Sequence, residues 1–521
     1  MKEFNTTGVC IPEKHYMVDI SDKLAEIEKM VKKGNYFTIN RPRQYGKTTT
    51  LFLLEKDLEK EDYLVLRMSF EDFDQEIYSN QTKFIEEFLL SIRDILSFKE
   101  NDELVKLVEK EYKEIDNMKR LSRFITKFSQ TVTKNIVLMI DEVDKSSNNQ
   151  LFLDFLGMLR NKYLFQEQKQ DYSFHSVILA GVHDVKNLKA KLRPDEERKY
   201  NSPWNIAVDF EVEMDFNVKE IMTMLADYKK DRDVEMDIND IAERIYYYTS
   251  GQPFLVSKLA EIIDDEIIPE KDKKEWQVVD VDDAVQILLK QSNTNFESLI
   301  KNLENNNDLY KLVRDIILEG RTISYNLHNP LIETGENFGI FKERDNVVKI
   351  HNKIYEQVVY DYMVSKVETD VDAEMYNFRD NFISKSDKLN MRKVLTKFQQ
   401  FIKEEYSDKD IDFLERNGRL LFLAFIKPII NSKGFDFKEV QISQEKRLDV
   451  VITYLEQKYI VELKIWRGKK YHKKGIKQLA DYLDNQGLDK GYLISYDFNK
   501  NKKYRKKDIN YEDKEIFAIW V

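Results

Sequence analysis

Asn40 to Thr50 reads NRPRQYGKTTT, and its Gly46-Lys47-Thr48 is the second half of the pattern G-x-x-x-x-G-K-[ST]. The leading glycine of that pattern is replaced here by Arg41. The chemistry needs backbone N–H groups wrapped around phosphate oxygens at a helix start, where the dipole adds attraction. Gly46 permits close backbone approach, Lys47 meets the terminal phosphates, and Thr48, followed by Thr49, offers a hydroxyl for Mg²⁺. Pro42 can stiffen the turn, while Arg41 and Arg43 add positive charge. A second element, IVLMIDEVD, is an apolar run ending in Asp141-Glu142. Asp141 is then placed to hold the metal through water and Glu142 to polarise the attacking water. The plainer alternative is a buried strand that happens to end in acids.

Another constellation lies near the C-terminus, in RLDVVITYLEQKYIVELKIW. Asp449 falls in one expected strand and Glu462-Leu463-Lys464 in the next. Alternation puts Glu462 and Lys464 on one face of the strand, and hairpin pairing can bring Asp449 beside Glu462. Two carboxylates so placed bind Mg²⁺, or Mn²⁺ in its stead, and a lysine can orient the attacking water. Acids within runs as apolar as VVITY and YIVEL are costly to bury without a use. The D…E-x-K pattern is nevertheless short, and a lysine-rich chain can produce it by chance. KQLADYLDN adds Gln478 and Tyr482 on one helix face, with Ile476, Leu479, Ala480 and Leu483 as the buried stripe. From Lys464 to Lys477 there are seven Lys and Arg and no acid, with Trp466, Tyr471 and His472 interleaved. Such a run suits phosphate neutralisation and base stacking, or else a solvated loop.

The elements that must position these residues follow from periodicity. YFTIN (36–40), DYLVLRMSF (62–70), NIVLMIDEVD (135–144) and HSVILAGV (175–182) read as near-continuous apolar strands separated by amphipathic helices. That pattern predicts a parallel sheet covered on both faces. FEVEMDF (210–216) is read as the last strand before a helical region, 217–299, with a turn at Ser250-Gly251-Gln252-Pro253. Residues 300–370 suggest a winged-helix unit, with NVVKIHN as a strand and KIYEQVVYDYMVSK as its closing helix. The charged stretch 366–374 reads as a hinge. Beyond it come a helical stretch at 388–430, strands at 436–442, 447–454, 458–465, 490–496 and 515–521, and one amphipathic helix. The predicted division is therefore 1–216, 217–299, 300–370 and 371–521, an α/β multidomain chain.

Composition agrees with globular domains: 521 residues, 42% apolar and 34% charged. No apolar run approaches the roughly 20 residues that cross a bilayer, the start MKEFNTTGVC lacks a secretory leader, and Cys10 is the single cysteine. A soluble, cytoplasmic protein without membrane partners is expected. The net charge of −11 argues against nucleic acid, but its distribution does not: residues 441–521 carry 18 Lys+Arg against 12 Asp+Glu.

On RPRQYGKT, and with IDEVD downstream, residues 1–260 resemble the AAA-ATPase-like family, relatives of archaeal and STAND-type P-loop ATPases. The arginine-proline form of the loop is habitual there, and the resemblance implies ATP as ligand. It also places GVCIPEKHYMVD near the adenine, making His15 and Tyr16 candidates for base stacking or for ordinary packing. SGQPFL resembles the G-x-P motif of STAND-type lids, through Gly251 and Pro253. His183 or Asp184 would reach the γ-phosphate side, and Arg193 and Arg198 are candidate arginine fingers. The C-terminal set resembles the PD-(D/E)-x-K nuclease superfamily, in its RecB-like branch, with a restriction-endonuclease-like α/β fold. Asp449, Glu462, Lys464 and Gln478 match that motif one by one, Leu448 stands in place of the proline, and Glu415 would be an extra carboxylate. Together the resemblances imply an ATP-controlled, metal-dependent nuclease, on DNA before RNA. The alternatives are a nucleotide-switched binding protein with a retired nuclease fold, or a STAND-type signalling ATPase acting as a homo-oligomer.

Overall fold

Five-residue YFTIN forms strand β1 (Tyr36–Asn40) because every side chain but the last is buried, which only a strand covered on both faces allows. β4 (Ser176–Gly181) is buried throughout and β3 (Asn135–Asp141) at every residue after Asn135, while β2 (Tyr63–Ser69) buries Leu64, Val65, Leu66 and Met68. All pair in parallel, in the order β1-β4-β3-β2. Alternation sends Tyr36, Leu66, Leu138, Ile140 and Leu179 to one face, against Phe84, Phe88, Phe124, Phe152 and Phe155 of the crossover helices. Phe37, Ile39, Val65, Met139 and Ile178 face the other way, against helices α1 (Ser21–Lys32) and α2 (Lys47–Lys60). The carboxyl ends of the strands, where ligands of such sheets bind, therefore carry the glycine loop after β1 and the acids after β3.

The structure is a computed structural model and describes residues 2–146, 149–182, 204–319, 321–370, 382, 388–405, 421–423, 425–426, 450–454, 457–499 and 502–521. His183, Asp184, Arg193, Arg198, Glu415, Leu448 and Asp449 lie outside the described residues. Two compact units divide the chain: Met1–Leu309 with Ser324–Tyr355, and Tyr310–Ile323 with Glu356–Val521. No helix among the described residues is long and apolar enough to cross a membrane.

In the first unit the sheet is followed by α3 (Val218–Arg232), α4 (Ile238–Thr249) and α5 (Pro253–Ile262). FEVEMDF is not a strand. Its alternate apolar residues are covered, with Val212 and Met214 buried, but only the preceding Val208 bridges to Phe37. Further on, β5 (Phe341–Arg344) and β6 (Val347–Ile350) form an antiparallel ribbon turned by Asp345-Asn346, both at positive φ. The first of these strands was not evident in NFGIFKE.

The second unit holds a mixed five-stranded sheet built from β7 (Val450–Tyr454), β8 (Gln457–Ile465), β9 (Lys490–Tyr496), β10 (Arg505–Tyr511) and β11 (Lys514–Trp520), in the order β10-β11-β9-β8-β7. β8, β9 and β11 run parallel, and β7 and β10 are antiparallel edges. One face is covered by α6 (Lys469–Asn485), whose Ile476, Leu479 and Leu483 pack on Ile460, Leu493 and Ala518. Gly491 of β9 permits this closeness, since a Cβ there would stand 2.7 Å from Leu483. Residues 391–405 form a helix on the approach to the sheet, where Gln399 Nε2 donates to the carbonyls of Arg505 and Trp520. β10 was not foreseen in the sequence.

Candidate nucleotide site and candidate nuclease site

Gly46 caps α2 with φ 72°, a left-handed conformation that glycine adopts without strain, and nothing approaches its open side within 4 Å. The first turn of α2 thus presents its N–H groups outward for an anion. Lys47 is buried, with Nζ donating to the carbonyls of Arg41 and Pro42 at 2.9 Å each. Burial lowers its pKa, while Glu142, Asp144 and Asp141 work in the other direction. Thr48 Oγ1 donates to Asp141 Oδ2 across 2.6 Å, so the two expected metal-side oxygens converge from different strands' ends. Hydroxyl and carboxylate oxygens are the donors a hard cation takes, which fits Mg²⁺. Thr49 Oγ1 accepts the Cys10 N–H, tying the N-terminal segment to the helix.

Glu142 sits beside them at φ 55°, unusual for a residue with a side chain. The Glu142 N–H donates to Asp141 Oδ1. Burial raises the Glu142 pKa, and the neighbouring Asp141 and Asp144 add to the rise against Lys47. A carboxyl so perturbed is suited to proton handling.

The two loop arginines separate. Arg43 is exposed, and its charge is felt at Lys47. Arg41 instead donates to the carbonyls of Asn40 and Val212, with its guanidinium over the Phe210 ring. Its charge is thus held against the sheet's edge.

Next to the loop is a cavity of ≈ 330 Å³ walled by Gly46, Thr50, Val18, Met214, Pro253 and Phe254, among others. Its position and apolar lining suit a nucleoside. Tyr16 contributes to that wall, but its ring is buried among Phe4 and Tyr228, and its hydroxyl donates to Asp231 Oδ2. Burial and Asp231 push the Tyr16 pKa up to about 12. His15 Nδ1 accepts the Ile11 N–H. The SGQP turn abuts the loop, because the buried Gln252 donates from Nε2 to the Gln44 carbonyl. Gly251, at φ 83°, is required there: a Cβ would fall 1.9 Å from the Phe216 carbonyl oxygen.

In the second unit, Glu462 is 1% exposed and pairs through Oε1 with Lys464 Nζ at 2.5 Å. The pair lies on the α6 side of β8, where a Cβ on Gly475 would sit 3.5 Å from Lys464. Gln478, one turn beyond Gly475, is half-buried on the same helix, and Tyr482 follows. The hairpin pairs Val450 with Val461, the residues that respectively follow Asp449 and precede Glu462 in the chain. No group of three or more His, Cys, Asp or Glu that could hold a metal occurs among the described residues, which do not include Asp449.

Beside this pair is a cationic-aromatic cluster that the sequence showed only in part. Arg505 of β10 lies 4.3 Å from the Trp520 ring and 4.9 Å from Trp466. His472 packs on both tryptophans, and burial with Arg505 and Lys507 lowers its pKa.

The family model described as AAA-like domain matches residues 13–361, more than half of the chain, and this chain belongs to that family. A second model, restriction endonuclease, matches residues 418–503. The protein is thus an AAA-like P-loop ATPase domain fused to a restriction-endonuclease-like domain of the PD-(D/E)-x-K superfamily. An uncharacterized WD repeat-containing protein of Synechocystis is 24% identical over 355 residues, and the matched region is 65% of this chain but only 27% of that protein. Among solved structures, a Walker-type ATPase of Pyrococcus abyssi aligns at TM-score 0.48 and 13% identity, covering 68% of this chain and 99% of that one. The ORC2 protein of Aeropyrum pernix aligns at TM-score 0.37 and 11% identity, covering 69% and 97%.

Proposed function

We propose that the chain is a nucleotide-switched protein whose nuclease-fold domain engages nucleic acid, DNA before RNA. The observation that carries this reading is the cationic surface of the second unit. Arg505, Lys506 and Lys507 are exposed on β10, and Lys470, Lys473, Lys474 and Lys477 are exposed on the first turns of α6. Cations of this density neutralise backbone phosphates, and the neighbouring exposed Tyr471 offers a face for a base. ATP, held by Gly46, Lys47, Thr48 and Thr49 with Mg²⁺ near Asp141, is the switch. Bound metal there would supply charge neutralisation at the phosphates. Glu142 is the residue that orients water for hydrolysis. The helix–ribbon–helix order of residues 307–370 supports reading that stretch as a winged helix, and ATP-driven homo-oligomerisation is the expected route of signalling. The experiment is fluorescence anisotropy of a duplex DNA titrated with protein at several salt concentrations, with ATP, ADP or neither. Replacing Lys506 and Lys507 with Ala should lower the salt slope by roughly two. Affinity indifferent to salt and to nucleotide would remove this reading.

A second reading, phosphodiester cleavage, is favoured by the buried Glu462 carboxylate with Lys464 on the same strand face. Asp449 and Glu462 would hold Mg²⁺ or Mn²⁺, which would supply Lewis-acid activation at the phosphate. Lys464 would orient water and Gln478 the substrate. Plasmid incubated with protein, ATP and either metal should be cut by the wild type and not by Glu462→Ala, while both bind DNA. Equal cutting by the variant places the activity elsewhere.

A further inference from the structure

Tyr45, immediately before Gly46, has no part in the phosphate chemistry of the loop, yet it is almost wholly buried. Its hydroxyl lies 3.0 Å from His351 Nε2, a residue 306 positions later at the end of β6. The same nitrogen lies 2.9 Å from Asp215 Oδ2, which also takes Lys342 Nζ of β5 at 2.5 Å. The proton on the ring can be assigned. Asn352 Oδ1 accepts the Tyr355 N–H, which turns its Nδ2 toward His351 Nδ1 at 3.2 Å. Nδ1 is then the acceptor, and the Nε2–H is shared between the Asp215 carboxylate and the Tyr45 oxygen.

A second contact braces the loop from the same segment. Gly339, at φ 69°, lies so close to Pro42 that a Cβ would stand 2.8 Å from its Cγ. Pro42 in turn supplies a carbonyl to Lys47. The segment 339–351 thus touches the loop on both sides of Arg43, at Pro42 and at Tyr45, and all of these residues belong to one compact unit. Tyr45 borders the nucleoside cavity, whereas Asp215, Gly339, Lys342 and His351 are not among the residues that wall it.

We infer that His351, held by Asp215 and Lys342, is a positioning residue for the nucleotide loop, coupling nucleotide occupancy to the docking of the β5–β6 ribbon. A loop must keep its shape before the ligand arrives if binding is not to be spent on ordering it. The Tyr45–His351 bond and the Gly339–Pro42 contact do this from a segment outside the nucleotide pocket. By reciprocity, nucleotide that tightens the loop must stabilise the ribbon by the same factor. The inference rests on the nucleotide reading of the loop but not on any activity of the nuclease domain.

Tyr45→Phe removes one hydroxyl and leaves the ring, and His351→Leu removes the ring nitrogens and leaves an apolar side chain. Fluorescent ATP titration should show Kd weakened roughly three- to tenfold in each, the loss of one buried hydrogen bond. The double variant should be no weaker than the worse single one, because both cut the same link. Hydrogen exchange of 341–350 should slow on adding ATP to the wild type and stay unchanged in Tyr45→Phe, a response that mere structural damage would not produce. Wild-type affinity in both single variants, additive losses, or ribbon protection by ATP in Tyr45→Phe would each overturn the coupling. Failure of the wild type to bind ATP, matching Lys47→Ala, would overturn the nucleotide reading and the coupling with it.

Discussion

Thr48 and Asp141 meet across 2.6 Å although 93 residues separate them, one opening a helix and the other closing a strand. The parallel sheet makes this contact, since β1 and β3 end at the same edge with β4 between them. The hydroxyl thus stands where a hard cation would need it, with the carboxylate oriented behind it.

Asp141→Asn keeps the hydrogen bond but removes the charge. Mg-dependent ATP hydrolysis should fall by about 10- to 100-fold, read as phosphate release at saturating ATP. Unchanged hydrolysis would show that metal is held without Asp141.

Gly251→Ala should be among the most damaging single substitutions in the first unit. The added Cβ would meet the Phe216 carbonyl carbon and oxygen, and backbone cannot swing aside as a side chain can. Left-handed strain adds to the clash, so a loss of at least about 2 kcal/mol is expected. Thermal unfolding followed by circular dichroism would register it, and an unaltered Tm would mean that the turn rearranges freely.

Asp215 should shape the acid limb of stability. Burial works to raise its pKa, but His351 and Lys342 outweigh it and hold the carboxyl at about 2. The folded pKa lies below the unfolded value of about 3.9, so the contribution is fully present above pH 4 and vanishes as pH falls toward 2. The amount is on the order of 2.5 kcal/mol. Urea unfolding at pH 7, 4 and 3 should show this slope in the wild type and a shallower one in Asp215→Asn.

Lys464→Met takes the charged neighbour from a carboxylate that is 1% exposed. A loss of roughly 3 kcal/mol is expected, with much of it restored in the double variant Glu462→Gln/Lys464→Met. Tryptophan fluorescence during urea unfolding reports this unit through Trp466 and Trp520 once the buried Trp204 and Trp276 of the first unit are replaced by Phe. Additive losses in the double variant would show that the two side chains do not depend on one another.

Much of the site was legible because it is local. A glycine, a lysine and two threonines in sequence must open a helix together, and residues two apart on a strand must share a face, as Glu462 and Lys464 do. The four strands of the first sheet were evident from continuous apolar runs. β10 was not, because an edge strand reading RKKDINY has one neighbour and no apolar alternation to announce it. FEVEMDF failed in the opposite sense: it alternates like a strand but does not join the sheet beyond the bridge at Val208.

By itself, then, the order of residues determined which side chains stand at the starts of helices and the ends of strands, since 3.6-fold and twofold periodicities act within a few residues. Only the tertiary structure decided what those side chains touch. It turned Arg41 onto Val212, set Tyr45 against His351, pressed Gly251 onto Phe216 and stacked Arg505 on Trp520. Such contacts join segments tens to hundreds of residues apart. They arise because close packing allows few arrangements of whole elements, a choice that no short stretch of chain makes alone.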